Sequence, residues 1–150
     1  MTTLQTILDE RDVTNAVVAY ADALDSQNWQ ALRDLLADEV VMESDLRAIG
    51  PATLRAEEMV SRVRAQVTAF SVTLHYLSNF SIRVDADQAT CRSYLYAPHV
   101  IPEESDNGRF VAHAIYTHSL KRTRAGWRIA GLRVSFKIRD GEPPLPRPGS

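Results

Sequence analysis

Hydrophobic residues recur at helical spacing through the first half of this 150-residue chain and at strand spacing through the second. Val13, Val17, Tyr20, Ala21 and Leu24 fall at i, i+4, i+7, i+8 and i+11, one face of a helix. Asp9 or Asp12 can cap its start, where a carboxylate meets the positive end of the helix dipole. Asp25-Ser26-Gln27-Asn28 then interrupts the pattern, and Ser26 or Asn28 can cap a second, shorter helix carrying Trp29, Leu32, Leu35 and Leu36. Val40-Val41-Met42-Glu43 suits a short strand and Gly50-Pro51 a loop. Thr53 to about Phe70 reads as a third helix burying Leu54, Met59, Val60, Val63 and Val67.

Beyond Phe70 the period drops to two. Val72, Leu74, Tyr76, Phe80, Ile82 and Val84 alternate with polar residues, which predicts one long strand over 71–84 with its more apolar face on the helices. Asp85-Ala86-Asp87 is a turn. The next strand, 88–100, should break at Pro98, because proline has no N–H for a sheet ladder. After a polar loop from Glu103 to Gly108, strands over 109–122 and 127–138 are joined at Arg124-Ala125-Gly126. Helices followed by a meander of long antiparallel strands is an α+β layout, and a sheet curving around a long helix encloses a cavity. One domain over residues 1–142 is expected, followed by a proline-rich tail, 143–150, that is extended or disordered.

Composition narrows the function more by exclusion than by indication. The net charge is −2, with 17 basic residues interspersed among 19 acidic ones, so neither a nucleic-acid footprint nor a polybasic membrane signal exists. Cys91 is alone, which excludes an intrachain disulfide and a cysteine zinc cluster. His113 and His118 lie five apart on a strand and project to opposite faces, so they cannot share one metal. No glycine-rich phosphate loop or nucleophile elbow occurs. No cofactor and no metal are expected, and the lack of a signal-like start or a long apolar run makes the cytoplasm the expected compartment.

Three segments carry a resemblance. Tyr20 through Asp25 and Trp29 to Leu32 resembles the first helix corner of SnoaL-like proteins of the nuclear transport factor 2-like superfamily. Thr73 to Asn79 resembles their strand that presents a pocket histidine, and Gly126 to Ala130 the opening of their last strand. The resemblance spans about residues 4–139 and implies a cone: a curved antiparallel sheet packed on a long N-terminal helix and two shorter ones. The nearest relatives by these motifs are the scytalone dehydratases and bile-acid 7α-dehydratases. Their aspartate–histidine dyad falls on Asp25 and His75, a second pocket histidine on His99, and a helix tyrosine on Tyr20. Leu24 and Ser44 replace the tyrosines that hold the scytalone carbonyl, and Ala114 and Tyr116 replace a serine and an asparagine. The acid–base pair survives while the substrate-holding shell does not.

The chemistry that follows is proton transfer. Histidine titrates near neutrality and a carboxylate on one ring nitrogen fixes its tautomer. One such base can remove an α-proton and return it to a departing hydroxyl, so the resemblance implies a cofactor-independent dehydratase or cyclase acting on a small hydroxy-carbonyl compound, polyketide-like or polycyclic. Tyr116, Asn79 and Trp29 are candidate substrate contacts. Five of the candidates also have a plainer reading: His75 a bonded or exposed strand histidine, Asp25 a turn residue, His99 a loop histidine, Tyr20 and Trp29 core aromatics. A ketosteroid-type isomerase would need a cavity carboxylate on a strand, which the pattern does not offer. A noncatalytic binding or dimerisation domain is the rival class. The resemblance also implies a homodimer through the open sheet.

Overall fold

A computed structural model of the chain describes residues 2–46, 49–102 and 108–144. Three helices, α1 (Leu4–Asp25), α2 (Trp29–Leu35) and α3 (Ala56–Val67), accompany seven strands. These are β1 (Leu36–Ser44), β2 (Ile49–Arg55), β3 (Val72–Thr73), β4 (Tyr76–Asp85), β5 (Gln88–Val100), β6 (Arg109–Thr123) and β7 (Gly126–Asp140). They form one curved, unclosed sheet in the order β2-β1-β7-β6-β5, with β3 and β4 both on the outer edge of β5.

The helix α1 begins earlier than the apolar pattern indicates. Thr3 caps it, its hydroxyl accepting from the Thr6 N–H at 3.1 Å. Asp9, expected as a cap, is instead buried inside the helix. It accepts two hydrogen bonds of 2.9 Å from Arg122 and one of 3.3 Å from Trp127 Nε1. Arg122 holds the Asp9 carboxyl down at about 2. The pair fastens α1 to the β6–β7 hairpin. Of the two caps offered for α2, Asn28 serves, its Oδ1 accepting from Ala31 N at 3.0 Å, while Gln27 turns the corner with φ 53°.

The sheet departs from expectation in several places. Gly50-Pro51 belongs to β2, not to a loop; β2 is an edge strand, where a missing N–H is tolerated. The third helix consequently starts at Ala56, and Leu54 is buried from a strand. The pairing β1–β7 is parallel, so the sheet is mixed instead of purely antiparallel. These two strands are separated by most of the chain, and no hairpin constrains their sense. Lastly, β5 runs unbroken through Pro98. Leu74 N donates to Pro98 O, so the nitrogen of Pro98 points to the same edge, into the gap between β3 and β4 where no ladder bond is required.

That gap matters most. The predicted single strand is interrupted at Leu74-His75 and bulged between Ser78 and Ser81, with Asn79 at φ 53°. Val72, Leu74, Tyr76 and Phe80 are exposed, while Thr73 is buried and the His75 side chain is only 5% exposed. The apolar face expected on the helices thus faces outward before the bulge. Beyond it, Ile82 and Val84 pack on the core as expected. A bulge adds one residue and reverses which parity faces in.

The core lies between the helices and the alternating inner positions of β5, β6 and β7. Ile129 is completely buried on β7, in register with Leu36. Ile129→Ala should cost roughly 2–5 kcal/mol through lost transfer energy and a residual cavity. Urea unfolding monitored by circular dichroism measures this; a loss under about 1 kcal/mol would mean that the helix layer collapses into the space.

Candidate active site

Between α1, α3 and the inner sheet face lies a cavity of about 160 Å³, walled largely by apolar side chains. Leu24, Met59, Val63, Phe70, Leu95 and Phe110 supply much of the wall, and Pro143, at the start of the proline-rich segment, reaches its rim. The rest of the expected tail, 145–150, lies outside the described residues, as does most of the 103–108 loop.

Asp25 is the last residue of α1 and projects toward the break between β3 and β4. There the backbone leaves the ladder, which frees the His75 N–H to donate to Asp25 Oδ2 at 2.8 Å. The His75 ring closes on the same carboxylate, Nδ1 to Oδ1 at 2.6 Å. A carboxylate only accepts, so Nδ1 carries a hydrogen, and in the neutral tautomer that this fixes, Nε2 is the nitrogen that can accept. Thr73 donates its hydroxyl to Oδ1 at 3.0 Å. Burial opposes ionisation of Asp25, but the donors from His75 and Thr73 outweigh it and hold the carboxyl below its ordinary range.

His99 stands beside this pair, its ring 5.5 Å from that of His75 and near-perpendicular to it. Its Nδ1 faces two carbonyls, Ala97 O at 2.8 Å and Phe110 O at 3.3 Å. Nδ1 therefore carries the hydrogen, and Nε2 can only accept. Burial, reinforced by the neighbouring His75, pushes His99 down to about 4, so it is a neutral acceptor at physiological pH.

Tyr20 and Tyr116 face the cavity with rings edge to face at 6.4 Å. Burial raises both phenols, which therefore remain hydrogen-bond donors. Among the described residues neither hydroxyl has a partner, leaving both available to a ligand oxygen. Behind them His118 is fully buried, its ring 5.2 Å from Tyr20 and 5.3 Å from Tyr116. Among the described residues both its nitrogens and Ser93 Oγ lack partners, and burial depresses His118 to about 3. His113 faces the other side of the sheet, 3.4 Å from Asp140, as five-residue spacing requires.

Five of the seven candidates from sequence, Asp25, His75, His99, Tyr20 and Tyr116, therefore converge. Two do not. Asn79 sits at the exposed bulge with φ 53° and does not line the cavity. Trp29, at the first turn of α2, packs half-buried against the core and does not line the cavity. Thr73 was not among the candidates, although its parity with His75 on one strand places both on the same face. Among the described residues no group of three or more His, Cys, Asp or Glu is placed to hold a metal, and no helix is long and apolar enough to cross a membrane.

The chain and its fold have counterparts. The SnoaL-like domain family model matches residues 5–133. The uncharacterized protein Rv2910c of Mycobacterium tuberculosis is 28% identical over 129 residues, covering 86% of each chain. A provisional scytalone dehydratase from Novosphingobium aromaticivorans superposes with a TM-score of 0.78 at 17% identity, over 89% of this chain and 87% of that one. The hexachlorocyclohexane dehydrochlorinase LinA-type3 from Novosphingobium barchaimii does so with 0.80 at 16%, over 96% and 97%. At such identities these two structures speak for the fold alone. The family match carries the assignment: the chain belongs to the SnoaL-like domain family.

Proposed function

We propose that this protein is a cofactor-independent lyase that eliminates water from a small hydroxy-carbonyl compound, with the Asp25–His75 dyad as its base. The observation that carries this reading is the 2.6 Å contact between His75 Nδ1 and Asp25, set at the wall of a largely apolar cavity. In the step, His75 Nε2 takes the proton from the carbon next to the substrate carbonyl. The C–H electrons form the new double bond, and the enolate oxygen is held by the Tyr20 and Tyr116 hydroxyls. The C–O bond then breaks, and the imidazolium returns its proton to the departing hydroxyl as water. Before the step, that hydroxyl donates to His99 Nε2, which can only accept.

The names of the two structural neighbours agree with this class, since dehydration and dehydrochlorination are both eliminations. Cavity size narrows the substrate. An apolar cavity of roughly 150 Å³ takes a benzene, so about 160 Å³ suits one ring. A polyketide-like or polycyclic skeleton would have to leave further rings in the mouth. Cyclisation needs the same enolate and is the neighbouring outcome. Isomerisation through a carboxylate base is not favoured, because no Asp or Glu lines the cavity among the described residues.

The test is incubation of the purified protein with a panel of one-ring and fused-ring β-hydroxy ketones, with water loss followed by mass spectrometry. Catalysed loss from the one-ring members is expected. Calorimetric binding without turnover across the panel would return the protein to the noncatalytic class.

The open face of the sheet supports a homodimer. Tyr76, Tyr96, His113 and Ile138 share one row across β4 to β7, with Tyr94 and Ile115 in the next. Tyr76 and Ile138 are 56% and 57% exposed. Arg92 and Arg133 lie at one end of this patch and Asp140, with Arg109, at the other, leaving the aromatic and aliphatic row as its centre. Light scattering should find a dimer, and Tyr96→Asp should convert it to monomer at micromolar concentration. A monomeric wild type would end this assignment.

A further inference from the structure

Asp25 occupies a poor position for an anion. It is the last residue of α1, where the helix dipole is negative, and it is partly withdrawn from water. Three donors offset this: the His75 backbone N–H on Oδ2, and His75 Nδ1–H together with the Thr73 hydroxyl on Oδ1. The third is the informative one. Thr73 is only 6% exposed, and it lies on β3, whose two residues pair with Val100 and His99 of β5. Its backbone is thus anchored to the strand that carries His99, while its side chain reaches across to the helix end. No ladder bond requires that hydroxyl.

We infer that Thr73 is the positioning residue of the dyad: its hydroxyl, donating to the oxygen that also receives His75 Nδ1–H, locks the Asp25 carboxylate in the rotamer that orients His75. A carboxylate held only by His75 could tilt about χ2 and carry the imidazole with it. With Thr73 on Oδ1 and the His75 N–H on Oδ2, each oxygen is tied to a separate backbone-fixed point, and His75 Nε2 is aimed into the cavity. This role rests on the elimination reading for its effect on turnover, though not for its effect on Asp25.

The titratable groups on elements packed against Asp25 are His75 between β3 and β4, His99 on β5 and Tyr116 on β6; Tyr20 lies on α1 itself. Of these only His75 bonds to Asp25, so loss of the Thr73 donor should be read directly at the carboxylate. Thr73→Val keeps the shape and removes the hydroxyl. The titration of the Asp25 carboxyl carbon, followed by 13C NMR, should move upward in Thr73→Val and remain at its wild-type position in Thr73→Ser. With an active substrate in hand, kcat should fall about tenfold in Thr73→Val with KM little changed, and Thr73→Ser should restore it. Should Thr73→Val not fold, Thr73→Ala carries the same expectations. An Asp25 titration unmoved in a folded variant lacking the hydroxyl overturns the inference, whether or not turnover has been found. A moved titration in a protein without any turnover upholds it and sinks only the elimination reading.

Discussion

His75→Ala should lower kcat/KM on the one-ring β-hydroxy ketone by about a thousandfold, with circular dichroism and thermal midpoint close to wild type. A positioned base contributes roughly 10² to 10⁴ in rate, and among the described residues the cavity offers no second group to replace it. Among the lining residues His99 is the only other imidazole, and its Nδ1 hydrogen is committed to Ala97 O and Phe110 O. Burial at about 4 also makes it a weak base. Asp25→Asn should be nearly as damaging, for a geometric reason. The His75 backbone N–H requires an acceptor at the Oδ2 position, so the asparagine oxygen must go there and its NH2 must face Nδ1. That amide donates where the carboxylate accepted, and the imidazole proton moves to Nε2, the nitrogen that should take the substrate proton. Steady-state kinetics on both variants decide the matter. Full turnover in His75→Ala would show that the base is another group.

The same residues explain what the chain disclosed in advance. The dyad was legible because both members sit in motifs with local meaning, Asp25 at a helix corner and His75 on a strand of period-two pattern. Their contact, fifty residues apart in sequence, came from resemblance and not from spacing. The strand before β5 misled because periodicity assumes an unbroken parity. Nothing in Ser78-Asn79-Phe80-Ser81 announces a bulge, yet that bulge decides that Tyr76 faces solvent. The parallel β1–β7 pair was illegible for a different reason: its register is fixed by packing of α2 and α3 beneath β1, a tertiary matter that no local window contains. Asn79 and Trp29 lie within the motifs that carry the resemblance, and neither lines the cavity. Thr73 was readable by parity, but a hydroxyl beside a histidine carries no meaning until its acceptor is known.

Stability should fall steeply as pH drops below about 6.5, more steeply than carboxylate titration alone would give. His118 and His99 are both held neutral by burial, at about 3 and about 4 against an ordinary value of 6.5. Between those limits the unfolded chain binds two protons that the native protein refuses. Protonation therefore favours unfolding, and stability is full above pH 6.5 and lost as pH falls. Each histidine contributes up to about 1.4 kcal/mol per pH unit in that window. Two of them acting from pH 6.5 to about 4 oppose folding by several kcal/mol, the order of a small domain's whole stability. Asp25, and Asp9 at about 2, act in the same direction, but only once pH approaches the unfolded carboxylate range. Tyr20, Tyr116 and Cys91, the titratable side chains around His118, are all raised by burial and stay neutral throughout. His118 has no hydrogen bond to lose, so His118→Leu should leave stability at pH 7 unchanged or improved, by the rule that an unpaired buried polar group is better replaced by an apolar one. The same variant should remove about half of the slope between pH 6 and 4.5. Urea unfolding at half-unit pH steps measures both effects. A slope unaltered in His118→Leu would mean that His118 finds a partner in solution and does not stay neutral through burial.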